Sequence, residues 1–208
     1  MITLSVLSIE NSYRLLWLGR YSERVYTGLR SFAEKFDSMT GASDSESKRD
    51  FTKNYCFDKD NPESIHYSLL RAYDNAIVLR DEIGSDTFSY IQLALYEMKK
   101  AESSAAPLLQ LQKIIDNIVA FWGMADDRIE DENIRGIIKL GKRIERVDLY
   151  ARMNMSNEDL RREVRRLSYR IARTGLTYDK DALAEMNILV GANNINRSEV
   201  VRLVESLI

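Results

Sequence analysis

The sequence predicts an all-α protein, a bundle of long antiparallel helices, and three observations carry that expectation. Apolar residues recur at steps of three and four over long windows, and no stretch alternates with period two long enough to build a sheet. Only two prolines and nine glycines interrupt 208 residues. One helical segment is also written twice. Glu10-Asn11 … Leu18-Gly19-Arg20-x-x-Glu23-Arg24-Val25 recurs as Glu132-Asn133 … Leu140-Gly141-Lys142-x-x-Glu145-Arg146-Val147, displaced throughout by 122 residues (145 − 23 = 122). Arg30 and Arg152 keep the register, so internal duplication frames the rest of the chain.

The elements follow in order. Ser8 is placed to cap a first helix that runs to near Met39. Thr40-Gly41-Ala42-Ser43-Asp44-Ser45-Glu46-Ser47 is small and polar, so residues 40–60 are expected to form a flexible loop. Asn61-Pro62 sets the next start, with Asn as cap and Pro where its missing N–H does no harm. From there Ile65, Leu69, Ala72, Ala76, Leu79 and Ile83 form one apolar seam. Gly84-Ser85-Asp86 ends that helix and caps another over about 86–103. Pro107 opens a fourth segment ending near Gly123, and the second copy of the repeat starts at about Asp131 and runs to about Met155. Ser156-x-x-Asp159 resembles a capping box ahead of a helix over 157–173. Two shorter helices follow, about 180–190 and 197–207. Residues 1–208 therefore read as a single helical domain, with 156–208 contributing C-terminal helices that no motif anchors.

Composition excludes several function classes. Thirty Lys and Arg against 32 Asp and Glu leave no global field toward nucleic acid or an anionic membrane. The run Arg161-Arg162-Glu163-Val164-Arg165-Arg166 reads first as a solvated helix face, with an acidic partner or RNA as the alternative. The lone Cys56 excludes an internal disulfide and suits a reducing compartment. Its only potential base is the lone His66; inert packing is the better reading of the cysteine, and a packed or exposed side chain that of the histidine. No apolar run reaches the roughly 18 residues of a membrane span, and no leader pattern opens the chain, so a cytoplasmic location is expected. There is no P-loop or dinucleotide fingerprint, and no cofactor is expected. Asp126-Asp127-x-x-Glu130-Asp131 would suit Mg²⁺, but metal-dependent isoprenoid chemistry needs a second facing acidic motif. A di-metal bundle needs Glu-x-x-His twice, which one histidine cannot supply, so no metal site is expected.

The duplicated motif carries the chemistry. On the first helix Leu15, Leu18, Ser22, Val25, Leu29, Phe32 and Phe36 share one side, while Ile9, Tyr13, Leu16, Arg20, Glu23 and Thr27 share the other. Arg24 and Trp17 lie at the edge of that second stripe. Apolar residues on both sides place the helix inside the bundle, with the charges forming an internal layer. If the copies face each other, Arg20 and Arg24 reach Glu145, while Lys142 and Arg146 reach Glu23. Gly19 and Gly141 would then let the two backbones close. Such a layer is either a network that fixes helix pairing, a site for an anion or substrate, or a set of surface ion pairs worth about 0–1 kcal/mol each. The helix after Pro62 adds Arg71, Asp74, Asn75, Arg80 and Asp81, and Asn75 in a helix interior calls for a partner.

Those residues carry a resemblance. Leu16-Trp17-Leu18-Gly19-Arg20-Tyr21-Ser22-Glu23-Arg24 resembles the opening YWLGRYxERAEN helix of the bacterial alpha-E family. Asn61-Pro62-x-Ser64-Ile65, then Leu70-Arg71-Ala72-Tyr73-Asp74-Asn75-Ala76 and Arg80-Asp81, is similar to its NPxSI … ARENAR … RD segment. Leu140-Gly141-Lys142-x-x-Glu145-Arg146-Val147-Asp148 is similar to its second LGRxxERAD helix. The chain departs from the pattern at Val25-Tyr26-Thr27, at Tyr73, Asp74 and Ile77, and at Lys142, which replaces an arginine.

The resemblance implies association with a circularly permuted ATP-grasp protein, often with a transglutaminase-like protein, in systems that build or modify peptides by amide ligation. This chain would be the helical partner or substrate-binding subunit. The alternative is an enzyme in its own right, with Glu23 or Glu145 as general base. In either case Arg20, Arg24, Arg71, Asp74, Asn75, Arg80, Asp81, Lys142, Arg146 and Asp148 are the expected ligands of an anionic or peptide substrate.

Overall fold

A computed structural model of the chain describes residues 7–38, 45–104 and 106–208, without the side chains of 45 and 46. The described residues form helices and connections only, as the periodicity requires. Helix α1 (Ile9–Ser38) begins where Ser8 accepts the backbone N–H of Asn11 at 3.0 Å. Helices α3 (Ile65–Val78), α5 (Ser85–Ser103) and α6 (Pro107–Arg128) complete the N-terminal half, with α2 (Ser45–Thr52) and α4 (Arg80–Ile83) as short pieces between them. Helix α7 (Glu132–Arg152) carries the second copy of the repeat. Asp131 caps it by accepting the N–H groups of Asn133 and Ile134. Helices α8 (Asn157–Ile171), α9 (Lys180–Gly191) and α10 (Arg197–Glu205) follow, capped by Ser156, Asp179 and Asn196.

The successive long helices α1, α3, α5, α6, α7 and α8 alternate in direction, as pairings such as Gly28 with Ile65, Glu97 with Lys113, Asp126 with Lys139 and Arg143 with Glu163 require. Helices α1 and α7 therefore run the same way and pack side by side along the molecular axis. Helices α3 and α6 flank α1, while α8 and α10 flank α7, so both sister helices are central. Burial follows this placement. Leu15, Leu18, Val25, Leu140 and Val147 are fully enclosed, and so are Glu23 and Glu145.

Four local expectations are corrected. Residues 45–57, read as part of a loop, form α2 and a π-helical turn over Lys53–Phe57; residues 40–44 lie outside the described residues. Phe51 and Tyr55 stack on Phe32 of α1, with ring centres 5.5 and 5.8 Å away, and this burial holds the segment helical. The helix after Pro62 begins three residues later than expected. Asn61 and Pro62 stay in a turn, and Ser64 is the true cap, accepting the Tyr67 N–H at 3.0 Å. That helix also breaks at Leu79, which leaves the helical region without a proline or glycine at the break. Finally, α6 runs past Gly123 to Arg128, because one glycine in an exposed helix interior costs only about 1 kcal/mol.

Candidate functional site

The repeated motif forms a reciprocal charged layer between α1 and α7. Each glycine lies against the backbone of the other helix. A Cβ on Gly19 would sit 2.1 Å from the carbonyl oxygen of Ile138, and one on Gly141 would sit 2.0 Å from that of Leu16. Ile138 is the sister position of Leu16, so the contact is two-fold in character. The close approach puts each Glu within reach of the sister helix's guanidinium groups. Arg20 Nε donates to Glu145 Oε2 at 2.8 Å and Arg24 Nε to Glu145 Oε1 at 2.6 Å. Arg146 returns the interaction with Nε to Glu23 Oε1 at 2.6 Å and Nη2 to Glu23 Oε2 at 2.8 Å, a bidentate fork. Thr27 also donates its hydroxyl to Glu23 Oε1 at 2.7 Å.

Both carboxylates have zero exposure, whereas their arginines reach the edge of the layer. Burial opposes the charge on Arg24, but the field and hydrogen bond of Glu145 outweigh it and hold the guanidinium above its ordinary value. Burial likewise opposes the charge on Arg146, and the hydrogen bond and field of Glu23 prevail. Every carboxylate oxygen of the layer already accepts at least one charged donor. The layer has the chemistry of a clamp.

Lys142 breaks the symmetry. Its sister Arg20 donates to a carboxylate and stacks over Trp17 at 4.5 Å. Among the described residues, Lys142 makes no ion pair with Glu23; its ammonium sits 3.1 Å from the ring centre of Trp122 on α6. The expected Lys142–Glu23 contact is thereby corrected, because the ammonium turns to the aromatic face that α6 supplies. Burial lowers the Lys142 amine to about 8, against the opposing field of Glu23. Trp122 is itself fixed by Nε1 donating to Ser22 Oγ at 3.3 Å and by the ring of Tyr26, 4.9 Å away. Tyr26 accepts from Arg30 at 3.1 Å, so the departure from the family pattern at this position serves packing.

The remaining predicted residues divide. Asp148 is buried beside the layer, where desolvation raises its carboxyl and the hydrogen bonds from Arg152 Nε, both 3.0 Å, oppose that rise. Arg71 and Asp74 pair with each other at 3.2 Å on the exposed face of α3, and Asn75 donates to the Arg71 carbonyl at 2.9 Å. Arg80 donates to Ser85 Oγ at 3.1 Å, and Asp81 is exposed; neither joins the layer.

A groove of about 520 Å³ opens between α1 and α3 and gathers Arg71, Asp74 and Asn75 opposite Glu10, Tyr13, Arg14, Trp17 and Tyr21. Its wall on α1 is an aromatic ladder one turn apart. Tyr13 lies edge-on to Trp17 at 6.0 Å, and Trp17 lies tilted against Tyr21 at 5.1 Å. Arg20 stacks on Trp17, and Arg24 lies 5.6 Å from the Tyr21 ring, so the groove wall rests directly on the charged layer. Tyr13 and Tyr21, which line the groove, were not among the expected site residues although their spacing from Trp17 is legible. Glu163 of α8 was overlooked as well. It is 1% exposed and takes Arg143 and Arg166, each at 2.7 Å.

Cys56 is fully buried, and burial pushes its thiol up, away from nucleophilic character. His66 is buried too; desolvation lowers its imidazole, and its Nδ1 has no partner among the described residues. Asp126 of the acidic cluster pairs with Lys139 at 2.6 Å, and Asp131 is spent as a helix cap. Among the described residues no three His, Cys, Asp or Glu converge as a metal site, and no helix is long and apolar enough to cross a membrane.

The Alpha-E family model, described as a predicted alpha-helical domain with a conserved ER motif, matches residues 29–177. Glu145-Arg146 lies inside that span and Glu23-Arg24 just ahead of it. No curated protein and no solved structure matches the chain.

Proposed function

Since this chain belongs to the Alpha-E family, we propose that it is a non-catalytic, substrate-binding subunit that presents a peptide to an ATP-grasp-type amide ligase in the cytoplasm. The observation that carries this reading is the groove between α1 and α3. A volume of about 520 Å³ is in the range of ligand sites. Its aromatic ladder offers flat apolar area for side chains. Arg71 and Asp74, both about half exposed, offer opposite charges to a peptide's termini or side chains. The side-chain carbonyl of Asn75 is left to accept a main-chain N–H, because its amide nitrogen is already engaged with Arg71.

The charged layer supports a scaffold role over a catalytic one. A general base needs a lone pair within reach of a substrate proton. Glu23 and Glu145 are enclosed, with their oxygens held by guanidinium and hydroxyl donors. In this reading the layer sets the angle of α1 and thereby fixes the ladder. The partners are a circularly permuted ATP-grasp protein and, as a second component, a transglutaminase-like protein.

The test has two arms. Tagged protein isolated from its native host should bring down the ATP-grasp partner, and adding it to that partner should raise peptide-dependent ADP formation. Trp17→Ala/Arg71→Ala should weaken that stimulation at least tenfold while leaving partner recovery intact. Recovery without an ATP-grasp protein, or stimulation indifferent to the double variant, would refute the proposal.

A further inference from the structure

The basic run on α8 resolves into two different structures. Arg161 turns toward α9 and donates to the carbonyls of Val190 and Ala192 at 2.6 and 2.7 Å, tying down the end of that helix. The other arginines face away from it. Arg162, Arg165, Arg166, Tyr169 and Arg170 occupy one face of α8 at helical spacing, and Arg143 of α7 faces them across an open cleft of about 330 Å³.

The charge in this cleft is not balanced. Glu163 at its base serves Arg143 and Arg166, and Asp159 serves Arg162. Arg165 and Arg170 have no acidic partner among the described residues. Arg170 lies in the last turn of α8, where the helix dipole favours a cation; Arg165 is mid-helix and has no such compensation. Like charges three and four residues apart destabilise a helix. Five guanidinium groups converging on one cleft, two of them uncommitted, form a receptor for concentrated negative charge. Their planar forks match the oxygen pairs of a phosphate.

We propose that this cleft binds a compact polyphosphate anion. The lining face extends from Arg162 to Arg170, eight residues or about 12 Å of helix rise. That length spans two or three linked phosphates. The cleft is short for an extended acidic polypeptide, and the exposed ring of Tyr169 at its edge, covered on one face by Arg173 at 4.4 Å, can stack its other face on a flat group attached to the phosphates. Buried Glu163 orients Arg143 and Arg166 from below, a supporting contact that a merely solvated helix face does not need. The site lies on a different pair of helices from the α1–α3 groove, and its occupation does not depend on how that groove is used.

The experiment is titration of the full chain with inorganic triphosphate at 150 mM salt, followed by calorimetry. Binding is expected in the micromolar range and should be weakened at least tenfold in Arg165→Gln/Arg170→Gln. Because neither residue has an acidic partner to lose among the described residues, and the repulsion along α8 is relieved, the thermal melt of that variant without ligand should not fall below the parent's. Lys53→Gln/Arg128→Gln removes the same charge elsewhere and should leave affinity unchanged. Absence of binding up to 5 mM overturns the proposal, as does equal weakening by both double variants, which would indicate a non-specific field. Tighter binding of octaglutamate than of triphosphate also overturns it, in favour of an acidic protein surface.

Discussion

Glu23 and Glu145 show how little of a residue's role follows from its type alone. Each is an ionisable side chain at zero exposure, and each is tolerated because the sister helix returns a guanidinium to it. The spacing of the repeat made this pairing legible, since two helices that carry the same charged motif, once brought together, can satisfy each other reciprocally. Lys142 was misjudged for a reason that spacing does not contain. Its neighbour is a tryptophan from α6, a helix outside the duplication. The amine is therefore desolvated without a carboxylate in contact, and its value falls from the ordinary 10.5 to about 8. Between those two values the unfolded chain binds more protons than the folded one, so this group makes stability rise with pH across the window. Lys142→Met should abolish that rise. The measurement is urea denaturation at pH 7, 8, 9 and 10. The parent-minus-variant difference should grow with pH and stay flat below about pH 7. Comparison with the variant also separates Lys142 from Cys56, whose thiol is raised by burial and acts with the opposite sign in the same window.

Elements were legible where periodicity or capping chemistry was strong. The two long sister helices, the Asp131 cap and the Ser156 box follow from local sequence. The segment 45–57 did not, because its polar beginning masks two aromatic residues one turn apart. Phe51 and Tyr55 find their reason for being helical only in Phe32, far away in sequence. The break at Leu79 is likewise invisible, since it involves no proline and no glycine. The clearest prediction at this scale concerns the two crossing glycines. Alanine is normally the better helix residue by about 1 kcal/mol. Here Gly19→Ala or Gly141→Ala drives a methyl group into a backbone carbonyl that cannot rotate away. Each should destabilise by about 3 kcal/mol despite that propensity gain. Gly123→Ala meets no atom within 4 Å and should stabilise slightly. Thermal melts of the three variants check the contrast in sign.

For the whole molecule, the consequence of duplication is an arrangement of two halves around one parallel pair. Helices α3, α5 and α6 enclose one side of it, while α8, α9 and α10 enclose the other. The halves have diverged into different surfaces, an aromatic groove beside α1 and an arginine cleft beside α7. The fold class was readable from sequence, but neither surface was, because each is assembled from helices whose adjacency only packing decides. The charged layer joins the halves, and the Glu23–Arg146 fork is a bidentate contact within it. The most direct measurement is a double-mutant cycle on that pair, with Glu23→Gln, Arg146→Gln and the double variant unfolded in urea. Each single change should cost about 3 kcal/mol, and the coupling should reach about 2 kcal/mol. A coupling below about 0.5 kcal/mol, the value of an exposed pair, would contradict a clamp between the sister helices.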